Sequence, residues 1–215
     1  MKRKFAAGVA AALAAATLAG TIGTGTAGAA TPMEMSIADV LLADDAASGQ
    51  PNVLDRNWRD YDIVTAAVLL NADLVAAASN KSASLTVLAP NDNAFRLLAS
   101  AITNKRYSTE AAVVTDLLAY EAANPGTLKA ILTYHIVGAK LGPTQVLASD
   151  NAQVSTLGGG TFAVDVINPR VAFVQFVDGD PDARNPFLNR INVGGGELAN
   201  GYIHGIDRVL RPIDL

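Results

Sequence analysis

The chain of 215 residues has no cysteine, only two histidines, one tryptophan and an aromatic share of 6%. Without thiols there can be no disulfide, cysteine nucleophile, thiolate metal site or lipid-modified cysteine. An exported chain of this composition must be held by its apolar core alone, which about 150 residues can supply. With His135 and His204 as the only imidazoles, a His-Glu-x-x-His metal motif is excluded, and Gly-x-Ser-x-Gly is also absent. The glycine triplets at 158–160 and 194–196 lack the Lys-Ser/Thr of a phosphate loop and read as hairpin turns. No catalytic constellation can be assembled, so neither an enzyme nor a cofactor is expected.

Positive charge is scarce too. The chain has 16 Lys+Arg against 20 Asp+Glu, and Lys2, Arg3 and Lys4 lie at the N-terminus. Those bases precede an Ala-rich apolar run and a small-residue Ala27-Gly28-Ala29 site, the layout of a secretory signal peptide over 1–29. With the leader removed, 13 bases face 20 acids, a net charge of −7 that repels phosphate backbones and excludes nucleic acid as a partner. The C-terminal Arg-Pro-Ile-Asp-Leu has no hydrophobic tail, so no membrane span is expected after leader removal. The expected product is exported, with a tail at 30–35 and one domain over 36–213.

The first half of that domain reads as helical. Ser36 and Asp39 form a capped start before Ile37, Val40 and Leu41, and 48–52 reads as a loop. A second helix carries Ile63, Ala66, Ala67, Leu70 and Leu74 at helical spacing, introduced by Trp58, which suits either a lid over the core or a binding anchor. Leu85 to Leu88 are strand-type, Pro90 stops the strand, and Asn91 or Asp92 can cap a helix with Phe95, Leu98, Ala99 and Ile102 on one face. A helix over 109–123 is expected to turn Val113, Val114, Leu117 and Leu118 inward. Another, capped by Thr127, covers 128 to about 136 and places His135 on the apolar face with Leu128, Ile131 and Leu132. Short β-rich segments follow at 154–157, 162–167, 171–177 and 191–193. In the last stretch Ile203 and Val209 share one parity and Ile206 and Leu210 the other, so this strand is covered on both faces until Pro212 ends it. Helices followed by a strand meander indicate an α+β domain.

Three stretches resemble the fasciclin (FAS1) family. Thr86, Ala89, Pro90, Ala94 and Phe95 match its first signature, with Leu88 for the usual Phe and Asn91 for the usual Thr. Leu128 to Gly138 resembles its central Tyr-His region. Asn200, Gly201, Ile203, His204, Ile206, Asp207, Val209, Leu210 and Pro212 match its second signature, with Gly205 where Val is usual. The resemblance implies a wedge-shaped β-sandwich-like core flanked by several α-helices, the two signatures side by side, with insertions near 103–127 and 177–192. It also implies a secreted binding module for cell adhesion or matrix and cell-surface contact, its partner an extracellular protein or a glycan. The alternative is an exported carbohydrate- or small-ligand-binding protein with a pocket near Trp58 or 177–192. Tyr134 and His135 fall in the region linked to integrin binding in animal relatives; here His135 reads as a buried structural imidazole, with Tyr134 on the rim, and His204 also reads as structural.

One loop looks like a cation site. Asp178, Asp180 and Asp182 alternate as hard oxygen ligands can around Ca²⁺, but an EF-hand would have Gly at its sixth position and Glu at its twelfth, where Ala183 and Asn189 stand. The stretch is therefore expected to be an exposed acidic turn tied to Arg184 or Arg190, without metal. Asn80-Lys81-Ser82 matches a glycosylation sequon.

Overall fold

Two strands more than a hundred residues apart in sequence form the middle of the domain. In the computed structural model, which describes residues 32–43 and 54–214, β1 (Leu85–Pro90) pairs in parallel with β7 (Gly201–Ile206), from Leu85 opposite Gly201 to Pro90 opposite Ile206. The leader at 1–29 and the loop at 48–52 lie outside the described residues. β2 (Ile136–Val137) flanks β1 and β6 (Leu188–Arg190) flanks β7, both antiparallel, in the order β2-β1-β7-β6. A second sheet is an antiparallel meander of β3 (Gln153–Ser155), β4 (Thr161–Asn168) and β5 (Phe173–Val177).

Side-chain alternation sends the central strands into two interiors. Leu85, Val87, Ala89 and Ile203 face a helical layer with Ile63, Phe95, Leu98, Val113 and Ile131, whereas Leu88 and Ile206 face the second sheet and meet Phe162, Val174 and Phe176. Val209 follows Ile203 and Leu210 follows Ile206, as the parity predicts. β7 itself ends at Ile206, six residues before Pro212. The result is an α+β fold of three layers, helices over a four-stranded sheet over a three-stranded one.

The helices are α1 (Ile37–Ala43), α2 (Asp62–Leu69), α3 (Ala72–Ser79), α4 (Asp92–Thr103), α5 (Glu110–Ala123), α6 (Thr127–Tyr134) and α7 (Pro143–Leu147). Ser36 and Asp39 form the expected capping box, and Asn91 caps α4 by accepting the Ala94 N–H at 3.0 Å. Several boundaries differ from the sequence reading. The continuous helix through Leu74 is broken at Asn71 into α2 and α3, bent by 110°, which leaves Leu70 66% exposed. Leu118 points outward rather than inward. Gly126, not Thr127, precedes α6, and the Glu121 carboxylate accepts its N–H and that of Leu128, doing the capping from α5. Ile136 belongs to β2, β6 lies at 188–190 rather than 191–193, and α7 had no sequence signal strong enough to place it.

Two glycines are dictated by close approach. Gly201 has φ +143°, and a β-carbon there would overlap the Leu85 carbonyl, so the Asn-Gly pair is what lets β7 start against β1. Gly205, the departure from the signature, leaves space that the Tyr61 hydroxyl fills; Tyr61 is 2% exposed.

Candidate functional site

Both imidazoles are consumed internally. His135 is buried, and its Nδ1 lies 2.7 Å from the Ile131 carbonyl while its Nε2 accepts the Leu210 N–H at 2.8 Å. The backbone donor fixes the neutral tautomer with its proton on Nδ1. Burial, against the pull of the Ile131 carbonyl, pushes its pKa down from 6.5 to about 4. His204 is the mirror case: Nδ1 accepts the Asn192 N–H at 3.0 Å and Nε2 faces the Leu141 carbonyl at 2.8 Å. It too is held below its ordinary value by burial.

Tyr134 is not on a rim. It is 2% exposed, its hydroxyl donates to the Thr161 carbonyl at 2.5 Å, and its ring packs edge-on against Phe162. It ends α6, where the chain turns down into β2 and carries the ring between the sheets. The Tyr-His pair thus presents no side chain to a partner.

The acidic loop is also built differently from expectation. Asp180 is buried, and its partner is Arg211, 3.1 Å from Oδ2, rather than Arg184 or Arg190. Its Oδ1 accepts the N–H groups of Asp182 and Ala183, both at 3.0 Å. Asp178 accepts from Asp180 N–H through Oδ1 and from Arg211 N–H through Oδ2. Burial raises the Asp180 pKa, but those N–H groups and the guanidinium outweigh it and hold the carboxylate below its usual range. All four oxygens already have protein donors, which explains the loop as a clamp on the C-terminal segment; Asp182 and Arg184 are exposed beside it. Trp58 is a partly buried lid against the helical core, with the Arg96 guanidinium 5.0 Å from its ring centroid.

Two features escaped the sequence reading. A cavity of about 260 Å³ lies between α2, α4, α5 and α6, lined by Ile63, Ala67, Phe95, Val114, Leu117 and Ile131 among others. Leu70 and Leu118 stand at it, 66% and 43% exposed, and neither Trp58 nor 177–192 contributes. The second is a buried carboxyl cluster. Asp60, Asp92 and Glu110 each place an oxygen within 4.8 Å of the other two, and all three are buried. Asp92 and Glu110 open α4 and α5, while Asp60 stands two residues before α2. The only sequence signal was an acid at each helix start, which occurs wherever a helix dipole is balanced.

A family model for the fasciclin domain matches residues 62–212. The chain belongs to the fasciclin domain family. In this fasciclin domain the signature residues are structural fasteners. Thr86 donates to the Ala139 carbonyl and accepts the Leu141 N–H, both at 2.7 Å. Asn200, fully buried, accepts the Ile37 N–H at 2.9 Å and donates to the Ala78 carbonyl at 2.7 Å, tying α1 and α3 to the start of β7. Asp207 accepts the Phe187 N–H at 2.6 Å and so holds 177–192 against the end of β7. Ala89, Phe95, Ile203 and Ile206 fill the interiors on either side, and Pro90 is buried at the end of β1. Among solved structures the chain is similar to a FAS1 domain pair from the insect cell adhesion molecule fasciclin I, at 19% identity and a TM-score of 0.45 over 67% of this chain. The match spans 43% of that longer chain. No curated protein sequence matches.

Proposed function

We propose that the protein is an extracellular recognition module of the fasciclin type, acting in adhesion or in contact with matrix or cell-surface molecules and without covalent chemistry. One observation carries this reading: the chemistry-bearing side chains of the family motifs are spent on internal hydrogen bonds, so what the domain offers a partner is surface shape. A rigid scaffold presenting exposed apolar side chains suits non-covalent recognition. The recognition face we favour is the leucine-bearing mouth formed by α2 and α5, with Leu70 and Leu118. Affinity for one partner is expected to be modest and to gain from multivalent display.

The test is adhesion of intact cells or matrix preparations to surfaces coated with the mature protein, comparing wild type with Leu70→Glu/Leu118→Glu. The double variant should keep its Tm and lose adhesion. Equal adhesion by both proteins would move the recognition face elsewhere; no adhesion by either, at any coating density, would sink the adhesive reading. The alternative, an exported binder of a small apolar ligand, is favoured by the same cavity, although its volume is slightly below that of most drug-sized sites. Saturable binding of a small apolar probe that leaves adhesion unaffected would favour it.

A further inference from the structure

The buried carboxyl cluster of Asp60, Asp92 and Glu110 takes no part in the recognition face formed by Leu70 and Leu118. Asp92 is 0% exposed and opens α4. Its Oδ1 accepts the Ile63 N–H in the first turn of α2 at 2.9 Å, and its own N–H donates to the Asp60 carbonyl at 3.0 Å. Glu110, also 0% exposed, brings the first turn of α5 to the same point. The starts of three helices therefore converge, and their dipoles favour negative charge there. Three buried carboxylates, one oxygen of each within 4.8 Å of the others, nevertheless repel strongly if all are ionised. Two buried carboxyl groups in hydrogen-bond contact, as Asp92 and Asp60 are, hold a proton between them, as acid dyads do.

We propose that Asp60, Asp92 and Glu110 form a proton-held latch joining the starts of α2, α4 and α5, which loosens in alkali and exposes the apolar cavity that those helices line. The groups facing Asp92 are Asp60 from the turn before α2, Glu110 from α5 and the Ile63 N–H of α2. Glu110 also belongs to a second set, with buried Asp62 and exposed Asp55, through which the cluster reaches the surface. On its own helix the nearest charge is Arg96, engaged with Asn93 and the Trp58 ring. Burial first, then the hydrogen bond to Asp60, push Asp92 up to about 10, and the charges of Asp60 and Glu110 add to that against the Ile63 N–H.

In the unfolded chain Asp92 loses its proton near 3.8, whereas in the fold it keeps it to about 10. Between those values the fold binds one more proton than the unfolded chain, so the contribution of the latch falls steadily as pH rises. Asp92→Asn keeps the shape, still accepts the Ile63 N–H and can donate to Asp60 without a titrating proton.

The experiment follows urea unfolding of full-length wild type and D92N from about pH 6 to about pH 10, with binding of an apolar fluorescent dye along the same series. The unfolding constant of wild type should rise tenfold per pH unit relative to D92N, flattening as the pH nears 10. Dye uptake at the alkaline end should appear in wild type and be suppressed in D92N. Parallel stability curves, or dye uptake that D92N leaves unchanged, would overturn the latch. Should D92N fail to fold, infrared spectroscopy of wild type settles the matter: a protonated-carboxyl carbonyl band at neutral pH in a folded protein is expected. Its absence would mean that no proton closes the cluster, and its loss on adding calcium chloride or manganese chloride would mean that the cluster is a cation site rather than a proton latch.

Discussion

Acidification should weaken the fold through His135. The imidazole sits in the interior with both nitrogens engaged, and Nε2 can accept the Leu210 N–H only while it carries no proton. Protonation would set two donors against each other and bury a charge. The folded pKa is about 4, below the 6.5 of an unperturbed histidine. As pH falls through that window the unfolded chain takes up a proton that the fold refuses, so stability is full above 6.5 and is lost towards 4. At about 1.4 kcal/mol per pH unit, the loss integrates to about 3 kcal/mol. Carboxylates titrate in the same range and must be subtracted, which calls for a partner variant. His135→Gln removes the titrating group while keeping a donor and an acceptor on the side chain. Urea midpoints of the two proteins, followed from neutral pH to about pH 4, should converge in acid, because only wild type carries the histidine penalty. A constant gap across the series would refute the reasoning. So would an NMR titration showing the His135 ring protonating at or above its free-solution value.

Asn200→Ala orphans the Ile37 N–H and the Ala78 carbonyl in the interior; denaturant melts should show a loss of about 2–4 kcal/mol, with α1 and α3 exchanging amide protons sooner. Gly201→Ala drives a methyl into the Leu85 carbonyl and should cost about 3 kcal/mol or more, read as aggregation or a collapsed Tm. Adding Ca²⁺ should leave Tm unchanged, because Asp178 and Asp180 already accept backbone and arginine donors; a rise that Asp180→Asn removes would contradict this. Arg211→Met should strand Asp180 in the interior and lower stability by about 3 kcal/mol at neutral pH, an effect that Asp180→Asn in the same chain should largely relieve.

What the sequence made legible was periodic or local. The i, i+3, i+4, i+7 run placed His135 inward, and the two parities around Ile203 and Ile206 predicted a strand with an interior on each side. Asn91 and the Ser36–Asp39 box announced their helices for the same reason: a cap acts within one turn. Features set by distant segments stayed hidden. Tyr134 was expected on a rim because a helix wheel does not show that the chain bends into β2 and swings the ring between two sheets. The partner of Asp180 lies 31 residues on, so nearby Arg184 and Arg190 were the natural candidates, and neither is in reach. The break at Asn71 goes with α3 folding back to pack against both α1 and α2, a tertiary contact that no local pattern shows. Asp60, Asp92 and Glu110 meet only once three helices have docked, and each alone resembles an ordinary first-turn acid.

The parallel pairing of β1 with β7 has a consequence for biogenesis. One of the two middle strands of the four-stranded sheet, β7, is made more than a hundred residues after the other, so β1 waits unpaired on that side while the intervening segments are made. Contacts of such long separation form late and slowly. An emerging polypeptide therefore cannot complete this sheet until residues 201–206 are available. The step that seals the domain is therefore the docking of β7 against β1, and everything between the two strands must be in place around an open sheet before it happens.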